Sequence, residues 1–165
     1  MKMFTIVIIS DTHADSTEKL SACLIDEIKK ADAVVHAGDA DTVDFISELK
    51  KISKTLYAVR GNCDWGSDLP AKSVFFVGET KIGLSHGTGN YANVIDRMSY
   101  LFSDDNVNIV IFGHTHVPLN ENIEGIRFIN PGSTSLNRGL RYGTYAKLVF
   151  DDKGSFDCKI LSAEE

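Results

Sequence analysis

From Phe4 to Ile9 the sequence FTIVII is apolar and β-branched with little alternation, the pattern of a strand covered on both faces. Beyond it Leu20, Cys23, Leu24 and Ile28 recur at helical spacing, with Asp15 or Ser16 as the expected cap and Cys23 on the apolar face. Residues 33–37 (AVVHA) repeat the buried-strand pattern. Phe45, Ile46, Leu49 and Ile52 then mark one side of a second helix, and residues 56–59 give a third strand. Such a β-α-β-α-β opening predicts right-handed crossovers and parallel strands.

The second half changes character. Residues 73–77 and 81–85, separated at Gly78, predict a hairpin. Val94, Ile95, Met98, Leu101 and Phe102 predict a helix over residues 91–102, and residues 108–112 (NIVIF) another buried strand. Short antiparallel strands are expected at residues 127–129, 145–150 and 156–161. No repeat, low-complexity tract or linker interrupts the chain, so the pattern predicts one α/β domain over residues 1–165, with mixed sheets inside and helices outside.

The polar positions add the chemistry. Asp11 and His13 follow the first strand, Gly38-Asp39 the second and Gly61-Asn62-Cys63-Asp64 the third; His86-Gly87 follows the hairpin and Gly113-His114-Thr115-His116 the NIVIF strand. Open α/β sheets bind ligands outside the carboxyl ends of their strands, which makes these groups neighbours in space. Four of the chain's five histidines lie at these ends. Alternate side chains of an extended segment share a direction, so Asp11/His13 and His114/His116 each present two donors to one point. Singly, Asp39 reads as a helix cap, Gly61-Asn62 as a turn and His86 as a loop histidine. Together the imidazoles and carboxylates suit Mn, Fe, Co, Ni or Zn better than Ca or Mg, and with Asp39 and Asn62 they exceed what one ion uses.

Charge and composition narrow this further. Seventeen basic against twenty-three acidic residues give a net charge of −6, which argues against bulk nucleic-acid binding but not against a local phosphate site. Three widely spaced cysteines, Cys23, Cys63 and Cys158, read as thiols of a reducing compartment, so a cytoplasmic location is expected. The apolar run ending at Ile9 is too short to span a membrane and no cleavage site follows it.

The set Asp11-x-His13, Gly38-Asp39, Gly61-Asn62, His86 and Gly113-His114-x-His116 resembles the calcineurin-like metallophosphoesterases, and most of all the small single-domain prokaryotic phosphodiesterases. The resemblance runs from Ile9 through Asn130-Pro131-Gly132-Ser133. It implies the metallophosphoesterase fold, a four-layer sandwich of two mixed β-sheets flanked by α-helices. It also implies two divalent ions, Mn first, with Ni, Co, Fe, Zn and Mg as alternatives. Asp11, His13 and His116 would hold one ion and Asn62, His86 and His114 the other, with Asp39 bridging and a bridging hydroxide attacking in line. Asp39, Asn62 and His114 then carry catalysis, and Asn62, Cys63, Ser133 and Arg138 are the expected substrate contacts.

One position departs from the wider family. Many members have a histidine after Gly-Asn, proposed to protonate the leaving group; here Cys63 stands there, which predicts a preference for activated diesters. Asp64 is expected to position substrate or a water, Arg60 is a weaker phosphate contact, and His36, inside an apolar strand, is read as packed. Lys50-Lys51 reads as a solvated helix end. The Asn90-Tyr91 loop and residues 118–124 are expected to shape the pocket. The expected substrate is a small phosphate ester, with no membrane partner and with homo-oligomers allowed. Two alternatives stay open: a phosphomonoesterase acting on a small metabolite, and a non-catalytic metal-binding scaffold resembling the small retromer subunit.

Overall fold

The computed structural model describes residues 3–164. Its strands are β1 (Phe4–Ile9), β2 (Ala33–His36), β3 (Leu56–Ala58), β4 (Lys72–Val77), β5 (Thr80–Ser85), β6 (Ile109–Ile111), β7 (Leu119–Ile123), β8 (Ile126–Asn130), β9 (Thr144–Phe150) and β10 (Phe156–Ser162). The helices are α1 (Ala22–Lys30), α2 (Val43–Ile52) and α3 (Val94–Leu101). They form two mixed five-stranded sheets, in the orders β10-β9-β1-β2-β3 and β4-β5-β6-β8-β7. β1, β2 and β3 run parallel, as do β5, β6 and β8.

Strand alternation explains the unbroken apolar runs. In β1, Ile6 and Ile8 point into the core between the sheets, where they meet Ile82, Leu84, Ile109 and Ile111. Val7 and Ile9 point outward, under Leu24 and Ile28 of α1 and Phe45 and Leu49 of α2. On the far side Val94, Met98 and Phe102 pack on Val110, Phe112 and Phe128. The layers are therefore helices, sheet, sheet, helix. Fully burying each of these large side chains contributes roughly 1.5–3 kcal/mol, enough to fix the register of every central strand.

Two local expectations are corrected. Ser16 caps a short 3-10 turn at Thr17–Lys19 rather than α1, whose cap is Ser21, accepting from the Leu24 N–H. The later start places Leu20 outside the helix, and Cys23 is exposed rather than packed. Residues 118–124 are mostly β7, an edge strand joined to β8 through Glu124 and Gly125, both at positive φ, the backbone of a two-residue hairpin turn. With Tyr91, residues of β7 line a small cavity of about 130 Å³ against α3. Among the described residues no helix is long and apolar enough to cross a membrane.

Candidate metal centre

The carboxyl ends of β1, β2 and β3 from one sheet and of β5 and β6 from the other meet at one cleft. The pairing continues beyond the strands: the Asp11 N–H donates to the Gly38 carbonyl at 2.9 Å and the His13 N–H to that of Asp39 at 3.1 Å. Gly38 has φ +99°, and a Cβ there would lie 2.6 Å from His86 Nδ1, so the loop requires glycine for both conformation and space. A side chain at Gly61 would overlap the Asp39 carboxylate.

Backbone strain gathers at the same place. Of eight non-glycine residues at positive φ among the described residues, six are Asp11, His13, Asp39, Asp41, His114 and His116. Such conformations are uncommon outside glycine and persist where surrounding structure imposes them, which is typical of functional sites.

Each imidazole in the cleft is tethered from outside through one ring nitrogen. His86 Nδ1 lies 2.7 Å from the Ala37 carbonyl, His116 Nδ1 3.0 Å from that of Leu136, and His114 Nε2 2.9 Å from that of Gly89. A carbonyl only accepts, so each tethered nitrogen carries the proton and its partner nitrogen turns a lone pair inward. His13 Nδ1 is 2.8 Å from Asp41 Oδ1. The inward atoms form two groups. Asp11, His13 and His116 offer donors within 4.8 Å of one another. Asn62 Oδ1 lies 3.1 Å from His86 Nε2 and 3.0 Å from His114 Nδ1. Asp39 Oδ2 sits between the groups, 3.4 Å from His86 Nε2 and 3.9 Å from His13 Nε2.

Asp11 tests whether a cation fits. It is fully buried, and its Oδ2 accepts from the Ser10 hydroxyl at 2.7 Å and the His114 N–H at 3.0 Å. Its Oδ1, equally buried, has no hydrogen-bond partner among the described residues, and His116 Nε2, 3.2 Å away, pairs with it only when protonated. A buried anionic oxygen facing imidazole lone pairs is costly unless a cation lies between them. The residues present fit such an ion.

The titration of these groups follows. Burial raises the Asp11 carboxyl, but the His116 contact, the His86 charge and the Ser10 hydroxyl outweigh it and hold it below the ordinary value. Asp39 is likewise opposed by burial yet driven well down by His86 and the Cys63 N–H. Burial pushes His86 down, but Asp39 and Asp11 carry it above the usual imidazole value; Asp11 raises His116.

Comparison with known proteins settles the family. The model of the calcineurin-like phosphoesterase superfamily domain matches residues 4–153. The chain belongs to this superfamily. A probable metallophosphoesterase of Methanocaldococcus jannaschii is 33% identical over 161 residues, 96% of this chain and 81% of its own. A structure of a predicted phosphoesterase from Streptococcus pneumoniae superposes with a TM-score of 0.76 at 31% identity, covering 99% of this chain and 91% of its own. A phosphodiesterase of M. jannaschii is 25% identical over 139 residues, 76% of this chain and 81% of its own.

Within this phosphoesterase frame, the seven expected metal-directed residues, Asp11, His13, Asp39, Asn62, His86, His114 and His116, all line the one cleft. The expected substrate contacts divide. Cys63 is half-buried beside Asn62, whose Nδ2 points at its sulfur from 3.3 Å. Arg138 is exposed, and its N–H donates to the His116 carbonyl at 2.8 Å. Ser133 is a correction: fully buried, it donates its hydroxyl to the Asp11 carbonyl at 2.7 Å and offers a substrate no surface. Arg60 reaches the Leu69 carbonyl at 3.3 Å instead of the cleft.

Other supports were not legible as such. Asp64 clamps the backbone, accepting from the N–H groups of Asp39, Asp41 and Gly61 at 2.7–2.9 Å. Asn130, buried, donates to the Gly113 carbonyl and the Thr115 hydroxyl beneath the Gly-His-Thr-His turn. Asp41 had no signal in the sequence beyond lying next to a helix cap. A cleft of about 860 Å³ opens on its side of the site, with His13, Asp41, Thr12 and Ser135 in its wall.

Proposed function

We propose that the chain is a phosphodiesterase working with two divalent ions, Mn first, with Ni, Co, Fe, Zn and Mg as alternatives. The supporting observation is the buried, unpartnered Asp11 Oδ1 surrounded by tethered imidazoles. Asp11, His13 and His116 hold one ion; Asn62, His86 and His114 hold the other; Asp39, between the groups, serves both. When bound, such ions acidify a water, orient the ester and stabilise the oxygens of an in-line displacement. The mixed imidazole, carboxylate and amide donor set suits Mn, Ni, Co, Fe and Zn better than Ca or Mg.

The chain's own residues set the stage for that chemistry. Ser10 and the His114 N–H occupy one Asp11 oxygen and leave the other for the cleft. The Cys63 N–H holds Asp39 Oδ1 at 2.8 Å and so turns Oδ2 toward His86 and His13. Arg138 and Cys63 are the groups proposed to face the phosphate ester, and the cleft on the His13 and Asp41 side is of a size that suits a small molecule. Diester preference is supported by the name of the M. jannaschii relative and by Cys63 in place of an imidazole acid. The free thiols of Cys23, Cys63 and Cys158 fit a cytoplasmic setting.

The test is metal analysis with hydrolysis of bis-p-nitrophenyl phosphate by wild type, Asp39→Ala and His114→Ala. Two equivalents of metal and turnover lost in both variants are expected. Turnover surviving both substitutions overturns the site. Faster hydrolysis of p-nitrophenyl phosphate than of the bis-ester makes the chain a monoesterase, and bound metal without turnover on either makes it a scaffold.

A further inference from the structure

The four cleft imidazoles are not tethered alike. His86, His114 and His116 lean on backbone carbonyls, neutral acceptors that the fold provides without any particular side chain. His13 alone leans on a carboxylate, Asp41, at 2.8 Å. The contact requires an unfavourable backbone: Asp41 has φ +79°, and His13 itself has φ +44°. Both are held there by other contacts. Asp64 Oδ1 accepts the Asp41 N–H at 2.9 Å, and the Ala14 N–H donates to the Ala40 carbonyl at 3.1 Å, locking the loops after β1 and β2 side by side. His13 is also more exposed than its partners, its side chain 29% accessible against 22% for His116 and 5% for His86.

We infer that Asp41 is a positioning residue that makes the His13 side of the centre the tighter of the two ion sites. The inference rests on the two-ion reading above. An exposed imidazole rotates and exchanges its tautomers more freely than a buried one, so a neutral carbonyl holds it less well. A carboxylate on Nδ1 fixes the proton there, aims Nε2 inward and increases the electron density that Nε2 offers to a metal. Its charge also adds to that of Asp11 on the same side. Asn62, His86 and His114 lack such a partner, so the ion there binds more weakly and is lost first.

The experiment is calorimetric titration of metal-free protein with Mn²⁺, with thermal unfolding of each metal-free variant as a check on the fold. Wild type is expected to show a tight and a weaker site. Asp41→Ala is expected to weaken the tight one by about 10- to 100-fold and leave the other within about twofold. Asp41→Asn keeps an acceptor for the imidazole without the charge and falls between, which tests the point if the alanine variant folds poorly. Asn62→Ala identifies the second site by weakening the other class. Equal weakening of both sites by Asp41→Ala, or no change in either, overturns the inference and leaves the two-ion reading standing. His13, Asp41 and Cys63 also offer donors within 4.8 Å of one another, so a third equivalent bound by wild type and lost in Asp41→Ala would make Asp41 a direct ligand and overturn the positioning role. A wild type that binds no Mn²⁺ overturns both.

Discussion

His36 sits one turn of chain from the cleft and is fully buried. Its Nδ1 accepts the Gly38 N–H at 3.1 Å, so the proton lies on Nε2, which faces Thr12 Oγ1 at 3.0 Å. Burial drives its pKa from 6.5 to about 4, against the pull of Asp64, Asp11 and Asp39. Between those two values the unfolded chain binds a proton that the folded chain does not. Stability therefore rises with pH through this window and is lost as pH falls, by up to roughly 3 kcal/mol from this residue. His36→Asn keeps an acceptor for the Gly38 N–H; denaturant unfolding at pH 4.5, 5.5 and 7 is expected to show a lower but flatter profile than wild type. Cys63 is held to the opposite end of its range. Burial, with Asp39, Asp41 and Asp64 around it, pushes the thiol up to about 11. Because p-nitrophenolate departs without a proton, Cys63→Ser is expected to retain bis-p-nitrophenyl phosphate turnover within about threefold; a loss of a hundredfold or more would give the thiol a direct part in the reaction. The cleft residues were legible because aspartate, asparagine and histidine at five strand ends form one pattern. Ser133 misled because a motif shows that a residue lies near a site, not which way its hydroxyl turns.

At the level of elements, the Asp64 side chain ties the loop after β2 to the loop after β3 through three acceptor contacts, beside the bond from the Cys63 N–H to Asp39. Removing it leaves three backbone N–H groups without a partner in a half-buried setting, at a cost of about 2–4 kcal/mol. Asparagine with its oxygen in the Oδ2 position keeps the Asp39 and Gly61 contacts and loses the one to Asp41, where its NH2 meets an N–H. Asp64→Ala and Asp64→Asn are therefore both expected to lower the thermal midpoint, with the asparagine variant losing less. A fully stable asparagine variant would show that the clamp is not the side chain's role. The same reasoning explains which elements the sequence made plain. β1, β2 and β6 are buried on both faces and read directly from unbroken apolar runs. β7 did not, because LNENI lies at a sheet edge and half of it faces solvent. The start of α1 was misread because Ser16 and Ser21 are both competent caps five residues apart, and only the intervening 3-10 turn, tied through Ser16 and Thr17 to Glu48 of α2, decides between them.

For the whole molecule, the centre is a joint between the two sheets. Asp11, His13, Asp39 and Asn62 follow strands of one sheet, and His86, His114 and His116 follow strands of the other. Away from the centre the sheets meet through apolar side chains such as Ile6, Ile8, Ile82 and Ile109 and through the bond from Asn120 Nδ2 of β7 to the Cys158 carbonyl of β10 at 2.8 Å. Ions bound across the edges would tie them, while the unfolded chain has no comparable site. Ligand binding to the native state alone stabilises by about 2.7 kcal/mol at a hundredfold excess over Kd. For a chain of this length each kcal/mol moves the midpoint by about 2–4 °C. Removing metal with a chelator is therefore expected to lower the thermal midpoint by about 5–11 °C, and adding Mn²⁺ back to restore it. Asp39→Ala, which removes the carboxylate between the two donor groups, is expected to show less than half that response, and its metal-free form to unfold earlier than metal-free wild type, because the Cys63 N–H and His86 lose the carboxylate they hold. A wild-type midpoint indifferent to chelator and to Mn²⁺ would separate the cleft from the stability of the fold and count against ions held between the sheets.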